Sequence, residues 1–165
     1  MSTGAAPDVS AVPVLVKRRL QAEVLGPLHA EMVKELGAAR ANDILDRAIR
    51  QAAIAEGRRL AAGAPGGEPS MAHFIRLFDL WKQGGALAIE ELAADDQRFD
   101  FNVTRCRYAE MYREMGLGEI GHLLSCNRDG AFVEGYDPGI SLSREKTIMA
   151  GDECCTFRYR KNRSP

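Results

Sequence analysis

Through the first half of the chain apolar residues recur at steps of three and four. Leu25, Leu28, Met32 and Leu36 form one such stripe, which predicts a helical stretch from Pro13 onward. Pro27 interrupts it, so the expectation is a kinked helix or two pieces. Ile44, Leu45, Ala48, Ile49 and Ala52 predict a second helix, with Asn42 or Asp43 as its cap. The run AGAPGGEPS at 62–70 is too rich in proline and glycine for helix or strand, which makes it a surface loop. Phe74, Ile75, Phe78 and Trp81 predict a shorter helix closed by Gly84 and Gly85. Their spacing assigns these aromatics to the core rather than to a ligand.

Beyond Gly85 the period shortens. Phe99, Phe101 and Val103 alternate with Asp100, Asn102 and Thr104, the pattern of a half-buried strand. Leu87 and Ile89 alternate more weakly, and an acidic turn at Asp95 and Asp96 suggests a hairpin, although the composition of 86–94 also suits a helix. Helices are expected over 107–115, closed by Gly116, and over 118–125. Turns are expected at Asp129-Gly130, Asp137-Pro138-Gly139 and Gly151-Asp152, with strand-like runs at 132–134, 140–149 and 155–159. Helices followed by hairpin-joined strands predict an α+β fold, with N-terminal helices packed on a C-terminal, mostly antiparallel sheet with short helices. One domain over 13–165 is expected after a disordered lead-in at 1–12.

Composition narrows the function classes. The chain has 165 residues, 45% hydrophobic and 27% charged, with a net charge of −1. Such a balance gives no global drive toward nucleic acid, and no apolar run reaches the ~20 residues of a membrane helix. The first ten residues lack the basic-then-apolar pattern of a secretory leader. A cytoplasmic protein with a small-molecule partner is the expectation, with self-association left open. Four cysteines in that setting point to thiols or ligands rather than disulfides.

None of the four is spaced as C-x-x-C. Cys106 falls where a strand meets a helix, between Arg105 and Arg107, and a helix N-terminus and two guanidiniums would favour its thiolate. The bland alternative is a small residue closing the junction. Cys126 ends the expected 118–125 helix one turn after His122, with Glu119 before and Asp129 after. That is the composition of a nucleophilic or acid–base site, or simply of a helix's solvent face followed by a turn. Cys155 shares strand parity with Phe157 and Tyr159 and should point inward, whereas Cys154 should point out. His29 and His73 are expected to be surface or satisfied core residues.

Three segments carry a family resemblance: V-T-R-C-x-Y-A-E from Val103, S-C-N-R-D-x-A-F-x-E-G from Ser125, and L-x-R-x-x-T-I-M-x-G-x-x-x-C-x-F-R from Leu142. In this order and spacing they resemble the L-2-amino-thiazoline-4-carboxylic acid hydrolase family. The resemblance implies a bacterial hydrolase that opens a five-membered C=N ring by attack at the carbon between heteroatoms. Relatives of this kind would act on cyclic amidines, thiohydantoins or imides. Its motif positions are Cys106, Cys126, Asp129, Arg144, Thr147 and Cys155. His122 lies outside the motif, and Gly130 stands where a bulkier residue is expected. Together with the local reading, this makes Cys106, Cys126, Asp129 and Cys155 the expected catalytic set. Arg144, Thr147 and His122 are the expected substrate contacts, Arg144 facing a carboxylate with Arg105 and Arg128 as reserves. No cofactor is required. Cys106, Cys126 and Cys155 could instead converge on zinc or an iron–sulfur cluster with Asp129 or His122. The competing class is a non-enzymatic small-molecule sensor.

Overall fold

The computed structural model describes residues 9–162. The lead-in expected at 1–12 falls mostly outside them, and its described end is a turn in which Val12 N–H donates to the Val9 carbonyl (3.2 Å).

Two long helices open the fold, α1 (Val14–Leu36) and α2 (Ala38–Ala62). Pro27 sits inside a single helix rather than dividing it. The expected apolar stripe of α1 is also corrected. Leu28 and Leu36 are exposed, and the buried face is Val14, Arg18, Ala22, Gly26 and His29. α2 buries Ala41, Leu45, Ile49, Ala53 and Gly57. It begins at Ala38 behind Gly37, so Asn42 is not its cap but a hydrogen-bond partner of the His29 ring (2.7 Å). After the 62–70 segment, Ser70 caps α3 (Met71–Leu77) by accepting from His73 N–H (3.1 Å), and α4 (Asp79–Lys82) follows.

The hairpin forms as β1 (Leu87–Ala94) and β2 (Arg98–Cys106), with the Asp95 carboxylate accepting from the Gln97 and Arg98 amides in the turn. α5 (Arg107–Glu114) follows directly, then short turns, α6 (Asn127–Tyr136), β3 (Ile140–Ser143) and β4 (Cys155–Lys161). The sheet is antiparallel throughout, in the order β1-β2-β4-β3. The α+β architecture is therefore as expected. Its inward face carries Phe99, Phe101 and Val103 opposite Tyr159, Phe157 and Cys155 in register. Phe101 and Phe157 stack with centroids 4.8 Å apart.

Three expected elements are corrected. Residues 132–134 are not a strand and Asp129-Gly130 is not a turn; both lie inside α6, where Phe132, Val133 and Tyr136 are buried. The 140–149 strand stops at Ser143 because the Thr156 hydroxyl accepts the Glu145 and Lys146 amides (3.1 Å each) in place of a ladder partner.

α2 and α6 cross at very close range. A Cβ on Gly57 would lie 2.2 Å from the Phe132 carbonyl oxygen, and one on Gly135 would lie 2.1 Å from that of Ile54. Only glycine permits this approach at either position. Among the described residues no helix is long and apolar enough to cross a membrane.

Candidate functional site

Between the inward face of the sheet and the helices lies a cavity of about 80 Å³. A single water needs roughly 10–15 Å³ on this measure, so the space suits a ligand of one small ring. Much of its wall is aromatic: Phe74, Phe78 and Trp81 from the α3–α4 region, Phe132 from α6, and Phe157 and Tyr159 from β4. The first three were expected to be core alone; they are core and wall at once.

Cys106, Cys126, Asp129, Cys155 and Arg144 all border this cavity, although they come from four separate segments. Strand alternation turns Cys155 inward beside Phe157, and Cys106 sits at the β2–α5 junction. Cys126 ends a π-helical turn, His122–Cys126, that leads into α6. Single π turns are concentrated at functional sites because they reorient side chains relative to the surrounding helix. Asp129 lies in the first turn of α6.

Arg144 Nη1 donates to Asp129 Oδ2 at 2.5 Å, and its Nη2 donates to the Cys126 carbonyl at 3.0 Å. Its guanidinium carbon stands 5.0 Å from the Phe157 ring centre, in cation–π range. Arg144 is thus held on three sides by the protein, and its two terminal nitrogens are spent on Asp129 and the Cys126 carbonyl rather than left open for a substrate carboxylate. Asp129 keeps 28% of its side-chain surface accessible, and it borders the cavity. Burial pushes its carboxyl above the ordinary carboxylate value, against the pull of Arg144.

Burial favours the neutral form of the three cavity thiols. Burial, reinforced by the Asp129 charge, pushes Cys126 up to about 12, and burial raises Cys155 to about 11. Cys106 is also raised by burial, even though the first amides of α5 pull the other way. The expected thiolate at Cys106 is therefore corrected. Arg105 is exposed and paired with Glu110 (2.8 Å), and Arg107 reaches the Gly84 carbonyl (2.9 Å), so neither flanking cation supports it. Native alkylation at pH 8 should label Cys154 ahead of the three cavity thiols, and denatured protein should label all four alike. Peptide mass spectrometry checks this, and equal native rates would contradict it.

Two expected contacts lie outside the cavity wall. His122 is exposed, at the start of the π turn that Cys126 ends. Thr147 caps the short helix Ile148–Ala150, its hydroxyl accepting from Ala150 N–H (3.2 Å). Cys154 likewise stands apart from the wall. His73, half-buried, bonds the Tyr136 hydroxyl (2.8 Å). Among the described residues no three His, Cys, Asp or Glu side chains are placed to hold a metal ion.

Of a second charged group in the wall, the sequence offers only Arg128, as a reserve for the substrate carboxylate. Arg18 of α1 and Arg128 of α6 both donate to Glu56 Oε2 of α2, at 3.1 and 2.8 Å. Burial raises the Glu56 carboxyl, but the two guanidiniums more than offset it and hold the group below its ordinary value. Isolated charges on long helices look like solvent positions, so only the segment S-C-N-R-D hinted at Arg128.

Solved structures show the same fold. The phenol-responsive sensory domain of the transcription activator PoxR, with phenol, superimposes with a TM-score of 0.54 at 16% identity, covering 83% of this chain and 72% of that one. Trafficking protein particle complex subunit 3 from Naegleria fowleri, covalently bound to palmitic acid, gives 0.51 at 14% identity, covering 90% and 96%. Among curated proteins none matches. The family model for L-2-amino-thiazoline-4-carboxylic acid hydrolase matches residues 17–159. With that match extending over nearly all of both long helices and of the sheet, the chain belongs to the L-2-amino-thiazoline-4-carboxylic acid hydrolase family.

Proposed function

We propose that the protein is a hydrolase that opens a small five-membered heterocycle inside this cavity, with Asp129 as the base. The observation that carries this reading is the Asp129–Arg144 pair, a half-buried carboxylate with a raised proton affinity bordering a space sized for one ring. A base is most effective when its proton affinity approaches that of its working conditions, and burial moves Asp129 in that direction.

The chemistry balances without a further reactant. As the water oxygen bonds the ring carbon between the heteroatoms, Asp129 takes the water's proton and the C=N electron pair moves onto nitrogen. Asp129 hands that proton to the nitrogen. Collapse of the tetrahedral carbon then forms C=O as its hydroxyl gives its proton to Asp129, and the ring C–N bond breaks with its electron pair going to nitrogen. Asp129 delivers the second proton there, so both water protons end on the departing amine. Arg144 keeps the carboxylate ionised and aimed. The thiols act as neutral walls and weak donors. At a pKa of about 12 Cys126 is thiolate in only about one molecule in 10⁵ at pH 7, so its direct attack would itself need Asp129 to remove the proton.

A second reading, ligand binding without turnover, is favoured by the largely apolar wall and by the fold shared with a phenol-responsive sensory domain. The deciding experiment is a panel of 2-aminothiazolines, hydantoins, thiohydantoins and other cyclic amidines, with ring opening followed by absorbance. At least one class should open, at a rate that chelator leaves unchanged. Binding of panel members without any opening would assign the sensor reading instead.

A further inference from the structure

The charges of the cavity wall do not cancel. Arg18, Arg128 and Arg144 stand against Glu56 and Asp129, three guanidiniums to two carboxylates. Arg144 and Asp129 neutralise each other in a direct pair. The excess therefore resides where Arg18 and Arg128 share a single oxygen of Glu56. A buried, uncompensated charge is costly, and two guanidiniums around one carboxylate leave a place for a second anion.

Donor geometry agrees. Arg18 is 4% exposed and Arg128 7%. Arg18 spends Nη1 on Gln21 (3.1 Å) and Nη2 on Glu56, while Arg128 spends Nη2 on Glu56. Among the described residues no fully buried side-chain nitrogen lacks a partner, so the remaining N–H groups of Arg128 border accessible space. For so enclosed a residue in the cavity wall, that space is the cavity. Burial and the neighbouring Arg18 charge both lower the Arg128 guanidinium's hold on its proton, as expected for two cations awaiting an anion.

We propose that Arg18 and Arg128 are the anion anchor of the cavity, holding a carboxylate borne by the ring substrate while Asp129 works on the ring. This rests on the hydrolase reading for the word substrate, but the anchor can be tested without turnover. It also moves the anchor from Arg144, the sequence's first candidate, to its reserve Arg128, joined by Arg18.

Thiazole-4-carboxylate and its carboxamide serve as non-hydrolysable probes of the same ring, with binding measured by calorimetry. The parent should bind the carboxylate at least about tenfold more tightly than the carboxamide, as a charge-assisted hydrogen bond allows. Arg128→Gln should weaken the carboxylate by about tenfold or more and leave the carboxamide within about twofold. Glu56→Gln supplies the opposite sign: it frees both guanidiniums and should tighten the carboxylate, a result that lost folding cannot imitate. Equal losses for both probes in Arg128→Gln, or weaker carboxylate binding in Glu56→Gln, would overturn the anchor, as would a parent that does not discriminate the probes. If the parent discriminates them but opens no ring in the panel, the anchor stands and the hydrolase reading falls. If rings open without discrimination, the reverse holds.

Discussion

Replacing Asp129 with asparagine is expected to lower kcat/KM for the opened ring by about 10²–10⁴-fold, the range for removing a positioned general base. The amide keeps the volume and can still accept from Arg144 Nη1, but it cannot take a proton from water. The substitution also leaves a buried guanidinium without its counter-charge, which costs about 3–5 kcal/mol when one partner of a buried pair is removed. Loss of activity alone would therefore be ambiguous. The double variant Asp129→Asn, Arg144→Gln removes both charges and should recover much of the lost stability while remaining inactive. Activity returning with stability would show that Asp129 is structural. The pH profile gives a second check. Only the ionised carboxylate acts as base, and burial raises its pKa above the ordinary 3.8. The activity should thus fall, as pH decreases, through a midpoint above 3.8. A midpoint at or below that value would mean that another group limits the reaction. Cys126→Ala separates the two roles for the thiol: direct attack predicts complete loss, whereas water attack predicts a residual rate well above that of Asp129→Asn.

How much of this was visible beforehand depends on what each residue does in the fold. Alternation exposed the β2 strand and the inward direction of Cys155, because a two-sided sheet writes its faces directly into the sequence. The motif segments brought Cys106, Cys126, Asp129, Cys155 and Arg144 together on paper, and the cavity brings them together in space. Helix α6 was missed because Asp129, Gly130 and Gly135 carry the composition of turns. Gly135 is there for a different reason, the crossing with α2, which no local pattern announces. The inward face of α1 was misread for a related cause. It buries Arg18, Ala22 and Gly26, while Val16, Leu20, Val24 and Leu28 face outward, so hydrophobic periodicity pointed the wrong way. The Arg18–Glu56–Arg128 group joins three helices and depends on that crossing. Charges become visible as a site only when the tertiary contacts between their helices are known.

That crossing sets the second large effect. Gly135→Ala would drive a Cβ to within 2.1 Å of the Ile54 carbonyl oxygen and 2.8 Å of its carbonyl carbon. These are backbone atoms of a packed helix, so no side-chain rotation relieves the clash and the two helices must separate. Overpacking of this kind costs about 3 kcal/mol or more, which for a chain of this size corresponds to a fall in Tm of roughly 6–12 °C. Gly130→Ala in the same helix is the control, because a Cβ there meets nothing within 4 Å. It removes a helix-interior glycine and should stabilise by about 0.5–1 kcal/mol. One substitution type on one helix is therefore expected to give opposite signs, measured by thermal or urea unfolding. Similar shifts for both would mean that helix propensity rather than the α2–α6 contact governs this region. The consequence extends to the site. Arg128 and Asp129 lie one and a half to two turns upstream of Gly135 on α6, and Glu56 is the residue before Gly57 on α2. Prising the helices apart at Gly135 should therefore stretch the Glu56–Arg128 bond, weakening carboxylate binding even in the folded fraction, whereas Gly130→Ala should leave that bond intact.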